Sequence, residues 1–77
     1  MTHKILPRPS VLDDCIPVGR RNGRKVWKSQ SGHRFFTWDS LHGEVEVFDS
    51  RGQHLGAIDP MTGAKTKSAV PGRRLDV

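Results

Sequence analysis

A chain of 77 residues holds one domain at most, and a domain of that size buries only about 60% of its unfolded surface, so the core must be thin. The lone Cys15 excludes an internal disulfide, no run approaches the roughly 18 apolar residues of a membrane span, and the start "MTHKILPRPS" lacks the apolar stretch of an export signal. Thirteen Lys and Arg against 8 Asp and Glu give a net charge of +5, which makes nucleic acid the leading class of partner, and neither basic arm has the apolar face a membrane-surface helix needs.

Residues 1–23 read as an irregular, partly flexible segment: Pro7, Pro9 and Pro17 interrupt helix, and Gly19 and Gly23 flank a polar "RRN" turn. A short helical turn fits "PSVLDDC", with Ser10 as cap and Asp13 three residues on. From Arg24 the punctuation changes to turn signals about every ten residues: "SQSGH", "SLHG", "DSRGQ" and "DPMTG". Between them, "KVWK", "RFFTWD", "GEVEVFD" and "QHLGAID" are rich in aromatic and β-branched residues and often alternate. The pattern predicts a mainly β domain over 24–77, a small antiparallel meander of about four to six strands with little or no helix, and loose termini.

Alternation sets Val45 and Val47 on one face of "GEVEVF" and Glu44, Glu46 and Phe48 on the other, which is read as the face that presents carboxylates. In "FFTWD", Phe36 and Trp38 share a face, with Thr37 and Asp39 opposite. His42 lies in the turn between these strands, so the pattern permits a cluster of Asp39, His42 and Glu46. Acids on the outer face of a strand are ordinarily just solvated. From the residues alone, a solvated turn, a metal site and an acid–base pair all stay open. A metal site of His42, Glu46 and His54 lacks compact ligand spacing, so no metal and no cofactor is expected. His54 is read as structural, holding its turn or packing beside Trp38. His3 and His33 carry no signal, and "DPMTG" reads as a β-turn. Two basic arms, one carrying Arg24 and Lys25 and the other Lys67, Arg73 and Arg74, bracket the acidic centre.

The stretch "WDSLHGEVEVFDSRGQHLGAIDPMTG", with the preceding "GRKVW" and the later Lys67 and "PGRR", resembles the cytotoxic ribonuclease domain of the E-group colicins that inactivate ribosomes. The resemblance covers about Arg24 to Arg74 in unbroken order. It implies a strongly twisted antiparallel sheet, a single metal-free cut in small-subunit ribosomal RNA at the decoding site, and an acidic immunity protein as partner. It places the catalytic cluster on Asp39, His42 and Glu46, a phosphate-binding arginine on Arg73, and an RNA-contacting basic residue on Lys67. Arg24, Lys25 and Arg74 join the RNA-binding set as members of the basic arms. Two strand aromatics that resemble tyrosines of the family are Phe36 and Phe48 here, and the "FDSRGQ" turn is one residue shorter. The segment before Arg24 carries no part of the resemblance. A toxin domain of this kind implies a monomer acting in the bacterial cytoplasm and delivered by a larger carrier.

Metal-free RNA cleavage uses the ribose 2′-hydroxyl as nucleophile, so the protein must take its proton, stabilise charge on the phosphate and protonate the departing 5′-oxygen. On the resemblance, Glu46 is the base, His42 the acid, Asp39 the group that orients His42 or shares the base role, and Arg73 the partner of the phosphate. A non-catalytic basic RNA-binding module is the alternative from another class; a third is a degenerate toxin relative kept for protein interaction. A pure binder has no reason to set two carboxylates where phosphate must lie.

Overall fold

The computed structural model describes residues 3–77. Six strands form one antiparallel sheet in sequence order: β1 (Ile16–Arg21), β2 (Arg24–Lys28), β3 (Arg34–Asp39), β4 (Glu44–Asp49), β5 (His54–Ile58) and β6 (Lys65–Ser68). Among the described residues the one helical element is a 3-10 turn, Val11–Asp14. Ser10 caps it by accepting from the Leu12 N–H, and the Asp13 carboxylate accepts from the Ser10 N–H, which completes the expected capping box. The meander and the four strands expected from β2 to β5 stand as read.

The strand alternation buries residues on both faces of the sheet. On one face Leu12, Trp27 and Val45 form a core with Leu6, Phe36, Trp38 and Ile58 around it, roofed by the N-terminal segment and its 3-10 turn. On the other face Val26, Phe48 and Leu75 form a second, smaller core with Val18 and Phe35. The second core corrects two expectations. The face carrying Glu44, Glu46 and Phe48 is not an open, wet surface, since Glu46 and Phe48 are 6% and 5% exposed. Nor are the ends of the described residues loose. Leu75 is buried, its N–H donates to the Gly52 carbonyl at 2.7 Å, and near the start the Lys4 N–H donates to the Ser40 carbonyl at 2.7 Å.

Two strands were missed. The segment 1–23 was expected to be irregular, yet Ile16–Arg21 is β1; residues 1 and 2 of that segment lie outside the described residues. An edge strand tolerates Pro17, because a missing N–H costs nothing on the unpaired side, and a bulge between Pro17 and Arg20 absorbs Gly19 at a φ of 100°. The β1–β2 hairpin closes through Asn22 and Gly23, whose φ values of 53° and 77° are those of the two-residue turn that Asn-Gly favours. At the other edge, β6 has all four residues exposed. With no buried face it leaves no hydrophobic alternation to read, and its lysines discourage pairing with another chain.

Candidate active site

The β3–β4 connection is built around Asp39. Its Oδ1 accepts from the N–H groups of Leu41 and His42, each at 3.1 Å, and its carbonyl accepts from the Gly43 N–H at 2.8 Å. Short polar side chains favour such turns because they mimic a backbone acceptor. The other carboxylate oxygen, Oδ2, stands 2.7 Å from His42 Nδ1. Burial pushes the Asp39 carboxyl up, but the His42 side chain, the His42 N–H, the imidazolium charge and the Leu41 N–H together outweigh it and hold the group below the usual carboxylate range. With Nδ1 engaged, Nε2 is the nitrogen the half-exposed His42 ring offers to a substrate. The turn is braced from behind: Trp38 Nε1–H donates to the Lys4 carbonyl at 3.1 Å, and His3 Nδ1 meets Ser40 Oγ at 2.9 Å.

Glu46, at the centre of β4, is the second anchor. Arg73 Nη1 donates to its Oε1 at 2.8 Å, and His54 Nε2 lies 3.5 Å from its Oε2. The Val70 N–H donates to His54 Nδ1 at 2.9 Å. Nδ1 is therefore the acceptor, and the ring proton sits on Nε2, facing the carboxylate. Instead of packing beside Trp38, His54 meets Phe48 edge-on, with ring centroids 5.4 Å apart. The sequence reading missed His54 as a member of the site. Its signal was indirect, a histidine opening β5 beside the β4 bulge that lies between Val47 and Phe48.

The chain from Val70 to Leu75 runs back along the start of β5 and sets Arg73 in place. The His54 N–H donates to the Arg73 carbonyl at 3.0 Å, and Gln53 bridges to Arg74. Lys67, on β6, is 3.0 Å from Glu44 Oε1. Glu44 is held below the carboxylate range, first by a hydrogen bond from the Thr66 side chain, against burial, and then by Lys67.

One cleft of about 490 Å³ opens on the sheet face of the second core, and Glu44 and Thr66 are not among the residues that line it. It brings together Asp39, His42, Glu46, Lys67, Arg73 and Arg74, with Arg24 at its edge. Lys25 falls outside it, on the opposite face, where its Nζ lies 5.1 Å from the centroid of the Trp27 ring. The histidine and carboxylates do not gather as a His42, Glu46, His54 metal set, because His42 pairs with Asp39 while His54 faces Glu46. Asp39, His42 and Glu44 do bring ligand-type atoms within 4.8 Å of one another, but His42 is bonded to Asp39 and the Lys67 ammonium already neutralises Glu44. The arrangement offers two different tools a few residues apart: a buried carboxylate held by a cation, and an exposed imidazole held by a carboxylate.

The family model described as Cytotoxic matches residues 7–76, so the match takes in residues 7–23 of the segment before Arg24. Among curated proteins of Escherichia coli, colicin E3 is 43% identical over 60 residues, which is 73% of this chain and 11% of that protein. Colicin-E6 and cloacin are each 42% identical over 53 residues, 68% of this chain and 10% and 9% of theirs. The chain thus spans about a tenth of the length of the curated relatives it matches. A family match over nearly the whole described chain, on a fold that assembles the resembling residues in one cleft, makes the chain a member of the Cytotoxic family.

Proposed function

We propose that the chain is a metal-independent endoribonuclease that cuts small-subunit ribosomal RNA near the decoding site by attack of a ribose 2′-hydroxyl. The observation that carries this reading is the pairing, in one basic cleft, of Glu46 on Arg73 with His42 on Asp39. Glu46 takes the 2′-hydroxyl proton as the 2′-oxygen bonds to phosphorus. Arg73 moves from neutralising the carboxylate to sharing the charge that grows on the phosphate. As the bond from phosphorus to the 5′-oxygen breaks, His42 delivers a proton from Nε2, and Asp39 holds the ring and stabilises its charged form. The products are a 2′,3′-cyclic phosphate and a 5′-hydroxyl. Every proton and every charge is handled by a side chain, so the step needs no metal ion.

Lys67, Arg24 and Arg74 surround the cleft and supply the phosphate contacts that hold RNA across it. As a toxin domain the chain acts as a monomer on ribosomes in the cytoplasm of a target bacterium, reached through a larger carrier, and an acidic immunity protein complements the same basic face. Incubation of the chain with purified ribosomes in excess chelator tests the reading. One new fragment from the 3′ end of the small-subunit RNA is expected; intact RNA over the same course overturns it.

A further inference from the structure

Three side chains in the cleft are more than nine-tenths buried, and each holds a polar atom without a hydrogen-bond partner in the chain: Thr37 Oγ1, Glu46 Oε2 and His54 Nε2. The ladder sets Thr37 directly opposite Glu46, on the same face of the sheet, where opposed Cβ atoms stand about 4.5–5.5 Å apart. His54 Nε2 is 3.5 Å from Oε2 on the other side. The donor and acceptor inventory of the three atoms closes on itself. The Val70 N–H on Nδ1 leaves His54 Nε2 as a donor, a threonine hydroxyl donates one proton, and one carboxylate oxygen accepts two. Glu46 Oε1 is already taken by Arg73, so Oε2 is the oxygen available to both donors. Leaving such buried groups unmatched is costly, and matching them to each other removes the cost.

We propose that Thr37 is a positioning residue for the base: its hydroxyl donates to Glu46 Oε2 through one bridging water, so that with His54 it fixes the carboxylate with Oε1 toward Arg73 and the substrate. The inference rests on the reading of Glu46 as the base. The charged groups around Glu46 are Arg73 from the C-terminal segment, His54 from β5, the Lys67–Glu44 pair, the Asp39–His42 pair and Arg24 of β2. None is altered by a change at Thr37.

The test compares Thr37→Val, which keeps the shape and removes the hydroxyl, with Thr37→Ser, which keeps the hydroxyl. Thr37→Val is expected to lower kcat about tenfold with KM within about twofold. Thr37→Ser is expected to restore most of the rate with KM unchanged. A parent-like kcat in Thr37→Val, or equal losses in both variants, overturns the inference. If the parent cleaves no RNA, the proposed function fails, and the NMR resonance of the carbon-13-labelled Glu46 carboxyl at neutral pH then decides the inference. A resonance displaced in Thr37→Val and returned to the parent position in Thr37→Ser upholds it. Coincident resonances in all three proteins sink it.

Discussion

Glu46 Oε1 and Arg73 Nη1 stand 2.8 Å apart although 27 residues separate them in the chain. Glu46 is fixed by the centre of the sheet. Arg73 is fixed by a length of backbone without strand structure of its own, tied to β5 through His54 and Gln53 and anchored by the buried Leu75. The contact therefore depends on how the C-terminal segment docks.

Leu75→Ala should expose that dependence. Truncating this buried side chain is expected to cost about 2–4 kcal/mol, read by urea unfolding. At denaturant-free conditions, where most molecules remain folded, cleavage should fall further than the folded fraction, because Arg73 loses its anchor. Activity tracking the folded fraction alone would show that Arg73 is held without Leu75.

Gly56 is the tight point between β5 and β6. Its φ is 139°, and a Cβ there would run into the Lys67 carbonyl. Gly56→Ala is expected to destabilise the fold by more than about 1 kcal/mol, since both the backbone conformation and the space oppose it. Amide exchange should show the β6 protection lost before that of β3 and β4.

Acid should weaken the site through Asp39 and Glu44. Both are held below the ordinary carboxylate range. For Asp39, burial acts in the opposite direction and is outweighed by the bonds from His42 and Leu41; for Glu44 the Thr66 side chain leads, with Lys67 adding to it. A lowered folded value contributes stability that is fully present above the unfolded carboxylate range, near about pH 4, and is lost as pH falls through the lowered folded values. The thermal midpoint of Asp39→Asn, Glu44→Gln should therefore lie below the parent's at neutral pH and converge with it on acidification. A constant gap down to the acid end would contradict this assignment.

The two faces of the sheet should separate in RNA binding. In the Glu46→Gln background, where cleavage is suppressed, affinity should fall steeply with salt. Arg74→Ala should weaken binding and flatten the salt slope by about one phosphate contact. Lys25→Ala should change neither, since Lys25 lies over Trp27 on the opposite face.

The central four strands were legible because alternation marks a strand, and Asp39 beside His42 because both belong to one turn; Glu46 joined them only through the resemblance, and the fold holds it against Arg73 and His54 in the same cleft. What escaped is non-local. β1 is an edge strand interrupted by proline and glycine, β6 has no buried face, and the membership of His54 depends on the Val70 N–H and on a β4 bulge. Lys25 was grouped with Arg24 by adjacency, yet neighbours along a strand point to opposite faces, so only one of the two reaches the cleft.

The central claim is that Glu46 and His42 move the protons of RNA cleavage. The most direct measurement is single-turnover cleavage of ribosomal RNA in excess chelator by the parent, Glu46→Gln, His42→Ala and the double variant, with the new 3′ end identified. The account predicts a 2′,3′-cyclic phosphate from the parent and rates lowered by about 10²- to 10⁴-fold in each single variant, with RNA binding largely kept. Full activity in the double variant, or loss of the parent's activity on adding chelator, would contradict it.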